Sequence, residues 1–252
     1  MKNILFALIT ATLLTSLAWA HGAGESRISI EPESQGAYTA GIIHYQFQIF
    51  DDQTQKALSD NDLVESHTKI MHFIAYDSSR NEFNHVHPAF DGKVWSVDLN
   101  LLANGNYFFW AQGQLLDGTE FSTVVKAQVI NGKPETPTIP LLDKRKGTDR
   151  LTTIELANTK LKAGKMAMIN FKITREDGKA PEITPYLGAM AHVIAVSPDG
   201  DELTHVHPMA GSTPNTGMFH ATFPTEGDYR IWVQFNDMGQ LKTIPISVVV
   251  SK

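Results

Sequence analysis

The chain repeats itself, and this repeat restricts the possible folds more than any other feature. The segment Asn-His-Val-His-Pro at 84–88 returns as Thr-His-Val-His-Pro at 204–208. Each copy has another histidine 13 residues before the first motif histidine, His72 in one case and His192 in the other. A motif kept at fixed spacing over a long period indicates tandem duplication of one structural unit. We therefore expect two similar domains.

The pattern within each copy predicts β-strands. Trp95, Val97 and Leu99 alternate with polar or smaller residues, which is the period of a half-buried strand. Short runs rich in β-branched and aromatic residues are separated by Asp-Gly and Asn-Gly turns. The sequence predicts an all-β protein of two tandem immunoglobulin-like or cupredoxin-like β-sandwich domains. We expect the repeated aromatic residues to lie in the domain cores: Tyr107, Trp110, Tyr229 and Trp232.

Four segments are predicted along the chain: a signal peptide over 1–20, a first repeat over 27–132, a linker over 133–150 and a second repeat over 151–252. The signal peptide is predicted from Lys2, the short apolar stretch at 4–14 and the small residues before a cut after Ala20. The linker is predicted from three prolines followed by a charged turn.

Composition excludes several classes of function. The chain has no cysteine, so disulfides and thiolate metal sites are excluded. Its formal net charge of −6 argues against a nucleic-acid partner, because the phosphate backbone favours clustered Lys and Arg. After the signal peptide no apolar run is long enough for a bilayer span, so we expect no stable membrane insertion. The expected location is periplasmic or secreted.

The repeated histidines are candidate metal ligands. Side chains two apart in a strand point to the same side, so each His-Val-His places two imidazoles together. The candidate ligands are His72, His85 and His87 in the first copy and His192, His205 and His207 in the second. Imidazole suits copper(II), zinc or nickel rather than calcium or magnesium. We expect one site in each domain, with the metal ion as the partner.

Four further residues are less certain candidates. Met190 and Met209 flank the second set of histidines and would make that site softer, which favours copper over zinc as the metal. His67 precedes His72 by five residues and is either a fourth ligand or an exposed loop residue. A cut after Ala20 would leave His21 with an α-amine and an imidazole, the chelating pair of a histidine brace; the alternative is a flexible tail.

The pattern resembles a group of bacterial exported proteins described as heavy-metal-binding or copper-associated. The likeness is carried by Met71-His72 with His85-Val86-His87-Pro88, and by the corresponding residues of the second copy. A more distant likeness, at Ala163-Gly164, is to the periplasmic copper-resistance β-sandwich proteins. The resemblance implies metal handling on an immunoglobulin-like scaffold, and a metal-handling envelope protein as a further partner.

The sequence leaves three functions open. The first is an exported metal-binding protein, with copper as the metal and zinc as the alternative, acting in metal buffering, delivery or resistance without turnover. The second is a metal-dependent enzyme, for which Glu82, Asp201 and Glu202 are the local candidates for a general base. The third is an envelope interaction module in which the histidines only pack.

Overall fold

The computed structural model describes residues 19–22, 27–65, 69–138, 140–206, 208–213 and 215–252, with the backbone alone described for 19–22. Residues 1–18, most of the predicted signal peptide, lie outside the described residues, as do His67 and His207. No helix in the described ranges is long and apolar enough to cross a bilayer.

The described chain is built from strands, with one short 3-10 turn at Asp60–Asp62. The strands up to residue 130 are β1 (Trp19–Gly22), β2 (Ile28–Pro32), β3 (Tyr38–Thr39), β4 (Gly41–Asp51), β5 (Lys56–Leu58), β6 (Leu63–Val64), β7 (Met71–Asp77), β8 (Phe83–Val86), β9 (Ala89–Phe90), β10 (Trp95–Leu101), β11 (Gly105–Leu115) and β12 (Glu120–Ile130). Those that follow are β13 (Lys146–Asp149), β14 (Thr152–Leu156), β15 (Leu161–Lys162), β16 (Met166–Arg175), β17 (Ile183–Thr184), β18 (His192–Val196), β19 (Glu202–Val206), β20 (Met209–Ala210), β21 (Thr216–Thr222), β22 (Gly227–Asp237) and β23 (Gln240–Ser251).

The strands form two β-sandwiches, which confirms the predicted fold class. In the first sandwich an outer sheet, β2-β4-β10-β9 with β5, packs on an inner sheet, β3-β12-β11-β7-β8 with β6. In the second, an outer sheet, β13-β14-β16-β21-β20, packs on an inner sheet, β1-β19-β18-β22-β23-β15 with β17. Each sandwich has its own apolar core, formed by alternate residues of both its sheets.

The two inner sheets pack against each other through a third apolar cluster. The other faces of the same strands supply it: Ile74, Tyr76, Phe108 and Trp110 from the first sandwich and Ile194, Val196, Leu203 and Trp232 from the second. Phe83 stacks on Trp232 with ring centroids 4.6 Å apart. The molecule is therefore a stack of four sheets, with the two inner sheets covered on both faces.

Two expectations are corrected by this arrangement. Trp110 and Trp232 are fully buried, but they lie between the sandwiches rather than inside either core; Tyr107 and Tyr229 do lie in the cores. The last part of the segment expected as a linker is the strand Lys146–Asp149. It pairs with β14, and its Gly147 lies so close to Ile244 that a β-carbon there would sit 2.6 Å from that side chain.

Candidate metal centre

Strand register brings the histidines of each repeat together. His72 and Ile74 are two apart on β7 and share a face, and His85 on β8 lies directly opposite Ile74. In the second sandwich His205 on β19 lies opposite Ile194, two residues after His192. In both repeats this face is the one that packs against the other sandwich, because the alternate residues fill the domain cores.

The two copies make the same imidazole contact. His72 Nδ1 lies 3.3 Å from His85 Nε2, and His192 Nδ1 lies 3.1 Å from His205 Nε2. In the first copy His87 Nε2 adds a third nitrogen, 3.2 Å from His72 Nδ1. The sequence predicted that these histidines meet, and for the five described ones they do.

The two groups form one cluster rather than one site in each domain. The ring centroids of His72 and His205 are 4.8 Å apart, and those of His85 and His192 are 4.7 Å apart. His72, His85 and His205 can each offer a nitrogen such that all three nitrogens lie within 4.8 Å of one another. The inner sheets pack face to face and bring both motifs to the same interface, so the histidines expected as one set in each domain lie side by side.

Hydrogen bonds to neighbouring groups fix the protonation of two rings. Gln234 donates its amide NH to Thr243 Oγ1 at 2.9 Å, which leaves its carbonyl oxygen facing His85 Nδ1 at 3.0 Å. His85 Nδ1 therefore carries a proton, and Nε2 of the neutral ring offers a lone pair to the cluster. His192 Nε2 likewise donates to the backbone carbonyl of Tyr186 at 2.9 Å, so its Nδ1 faces His205 unprotonated.

The environment keeps two histidines of the cluster neutral. Burial, followed by repulsion from His192 and His72, holds the pKa of His85 well below its usual value. Burial, with Lys69 and His192 as lesser causes, lowers the pKa of His87 to about 4. Neutral imidazole is the form that binds a metal ion, so His85 and His87 stay in that form down to mildly acidic pH.

His87 lies at the accessible side of the cluster. The other four described histidines of the cluster are buried, whereas His87 is half-buried. Its Nδ1 is nonetheless buried and makes no hydrogen bond within the described residues. The nitrogen that faces the cluster is the other one, Nε2, which lies 3.2 Å from His72 Nδ1.

The less certain ligand candidates either line another pocket or have side chains outside the described residues. Met190 and Met209 are half-exposed and line an apolar pocket of about 60 Å³ together with Phe171 and Ile183. For His21 the structure describes only the backbone, which belongs to β1 and pairs with Leu203 of β19.

The carboxylates proposed as general bases have other partners. Glu82 accepts a hydrogen bond from Tyr107 Oη at 2.6 Å, and Glu202 lies 3.4 Å from Tyr229 Oη in the same position of the second repeat. Asp201 forms an ion pair with Lys126 at 3.2 Å. Glu82 and Glu202 thus each contact the core tyrosine of their own sandwich, Tyr107 and Tyr229.

One group near the cluster was missed by the sequence reasoning. Gln234 lies beside His192 in the register of β22 with β18, and Gln112 occupies the same place beside His72. Both are buried, and each donates to a hydroxyl group, Gln112 to Ser122 and Gln234 to Thr243. The signal was present in the sequence, because both glutamines follow the repeated tryptophans by two residues.

Comparison with known proteins gives limited information. Residues 146–252 match a family described as a domain of unknown function, DUF8832. No curated protein matches the chain. Among solved structures the chain is similar to the fibronectin(III)-like modules of Clostridium thermocellum CbhA, with 16% identity, coverage of 88% of this chain and 94% of that chain, and a TM-score of 0.23.

Two adhesion proteins show a similarly weak likeness to this chain. The tetra-tandem repeat of a large adhesion protein has 10% identity and a TM-score of 0.30 and is matched over 90% of this chain and 49% of its own. The Escherichia coli adhesin FdeC has 14% identity and a TM-score of 0.28, over 91% and 66%. The chain thus spans about half to two thirds of these adhesin chains. With TM-scores of 0.30 or lower, these likenesses carry no argument about function.

Proposed function

We propose that the histidine cluster binds one divalent transition-metal ion, copper(II) or zinc, between the two sandwiches. His72 and His85 of the first repeat and His205 of the second are the proposed ligands, with His87 and His192 beside them. The observation that carries the proposal is the convergence of these three ring nitrogens within 4.8 Å, contributed by both repeats. The proposed role is metal buffering, delivery or resistance in an exported protein.

The spacing of the nitrogens supports this proposal. Two imidazole nitrogens bound to one tetrahedral zinc at about 2.0–2.1 Å are about 3.3 Å apart. Among the proposed ligands, His72 and His85 have this spacing, with 3.3 Å between their nitrogens. The nitrogen of His205 lies within 4.8 Å of both. The hydrogen bond from His85 to Gln234 is the outer contact that metal-binding histidines ordinarily make, and it orients the ring.

Binding is tested with tag-free protein that has been treated with a chelator. We expect wild-type protein to take up zinc or copper(II) at micromolar concentration. His85→Ala and His205→Ala should each remove the same equivalent, although they lie in different repeats, because the ion is shared. His44→Ala is the matched control, since His44 is exposed on the outer sheet of the first sandwich and bonds Asp98.

Three outcomes would contradict the proposal. Wild-type protein that binds neither ion would refute metal binding altogether. Two equivalents, one lost with each variant, would show that each repeat binds its own ion. For the copper form, an electron paramagnetic resonance spectrum with splitting from several nitrogens is expected, and its absence would argue against imidazole ligation.

A second candidate is an envelope interaction module without metal. It is supported by the hydrogen bonds that the histidines already make with one another and with Gln234 and Tyr186. Thermal melting separates the two candidates. A metal present at 100 times its Kd should stabilise the native protein by about 2.7 kcal/mol, and an unchanged melting temperature with copper(II), zinc and nickel would favour the interaction module.

A further inference from the structure

The outer sheet of the second sandwich exposes methionine where a strand ordinarily exposes polar residues. Along β16 the outward positions begin with Met166 and Met168, which are 72% and 53% exposed, while Ile169 next to them is fully buried in the core. Single exposed apolar side chains are ordinary on a protein surface, and it is the donor atoms gathered around these two that set the pair apart.

Strand register gathers further donors at the same place. Met168 lies directly opposite His220 on β21, and Met218, two residues before His220, lies directly opposite Met209 on β20. Side chains directly opposite across an antiparallel pair have β-carbons about 4.5–5.5 Å apart, and diagonal neighbours such as Met168 and Met218 are about 7–8 Å apart. Unbranched methionine side chains can close that gap. The adjacent strands β16 and β21 therefore present two thioethers and one imidazole on one face.

The fold itself does not require methionine here. In the corresponding strand pair of the first sandwich, β4 with β10, the outward side chains include His44 opposite Asp98 and Gln46 opposite Ser96. His44 Nδ1 contacts the Asp98 carboxylate at 2.9 Å, an ordinary polar surface pair. Met71, the methionine of the first repeat, is buried in its core. The thioethers are thus a feature of the second repeat alone.

Thioether sulfur with one imidazole is a soft donor set. Such donors select copper(I) and similar soft monovalent ions over zinc, calcium or magnesium. We propose that Met168, Met218 and His220 form a second metal site, which binds copper(I). It is independent of the histidine cluster, because it lies on the outer face of the molecule, with the core of the second sandwich and its spacing of about 10 Å between the two.

The site is tested with silver(I), which has the same preference for soft donors and does not change oxidation state in air. Tag-free protein labelled with ¹³C at the methionine methyl groups is titrated and followed by two-dimensional NMR. We expect the methyl signals of Met168 and Met218 to shift together and to saturate at one equivalent. The signal of buried Met71 should not move.

Leucine variants show whether the sulfur atoms are needed. Leucine for methionine nearly conserves volume, so Met168→Leu with Met218→Leu should fold and should bind silver(I) at least ten-fold more weakly. Met238→Leu is the matched control, because Met238 is 43% exposed and lies at the turn between β22 and β23 of the inner sheet.

Three results would overturn this site. The first is an unchanged silver(I) affinity in the double variant, the second is an equal shift of all exposed methionine signals, Met238 included, and the third is no silver(I) binding by the wild type. Zinc titration of the same double variant keeps the two proposals apart, because zinc binding by the histidine cluster should be unchanged. If zinc bound normally and silver(I) did not bind even the wild type, this second site alone would be refuted.

Discussion

The two repeats resemble each other on their inner faces and differ on their outer faces. On the inner faces, His72 matches His192, His85 matches His205 and the two tryptophans match each other. On the outer faces the match is lost, since His44 lies opposite Asp98 in one sandwich and Met168 lies opposite His220 in the other.

This difference follows from the packing. An inner-face residue of one repeat contacts the inner face of the other, so a change in either copy disturbs both. Tyr76 of the first sandwich, for example, donates to the carbonyl of Gly200 in the second at 2.8 Å. An outer-face residue contacts only its own sheet and can change without such a penalty. The shared interface is where we place a divalent ion, and the diverged face is where we place a soft one.

The largest effect is expected at the centre of the interface. Trp232→Ala removes a fully buried side chain that stacks on Phe83 of the other sandwich, 4.6 Å between centroids. Truncation of a buried tryptophan costs about 3–5 kcal/mol of unfolding free energy. Urea unfolding of metal-free protein measures the loss, and a cost below about 1 kcal/mol would show that the inner sheets do not depend on each other.

A smaller effect is expected from the glutamine that orients His85. Gln234→Leu keeps the volume but leaves His85 Nδ1 without its acceptor, which costs about 1–3 kcal/mol for a buried group. The affinity for zinc should fall about 10–100-fold, as it does when an outer contact of a metal ligand is removed. Gln114→Leu is the control, since the side chain of Gln114 is exposed to solvent at its hydrogen bond with the backbone of Gly118.

The metal-free protein should lose stability as the pH falls. His87 is neutral in the folded protein, with its pKa lowered to about 4, and the pKa of His85 is lower than usual as well. The unfolded chain therefore binds more protons below about pH 6.5, and the stability present above that pH is lost progressively down to about pH 4.

At pH 5 His87 alone lowers the free energy of unfolding by about 1–2 kcal/mol relative to its value at neutral pH. Urea unfolding at pH 7 and pH 5 measures it, and the dependence should be weaker in His87→Leu than in wild type or His44→Ala. An equal dependence in all three proteins would mean that His87 is not buried as a neutral ring.

The sequence was sufficient to predict each sandwich and the meeting of the histidines within a repeat. Alternating apolar residues define the strands, and His85 and His87 share a side because they are two apart. The packing of the two sandwiches was not predictable, because the strands of an inner sheet are apolar on both faces and the pattern does not say which face meets the partner. Trp110 and Trp232 were for that reason expected in the cores, and the two histidine groups were expected to be separate.

The smallest effect on stability is expected from substitutions on the outer faces. These substitutions separate effects on stability from effects on metal binding. His44→Ala breaks an exposed pair with Asp98, both of whose side chains are more than half exposed, and such pairs contribute about 0–1 kcal/mol. His220→Ala should be equally mild, because its side chain lies on the outward face of β21. Neither variant should change zinc binding, but only His220→Ala should weaken silver(I) binding. Equal silver(I) affinity in the two variants would mean that the outer faces differ in sequence without differing in function.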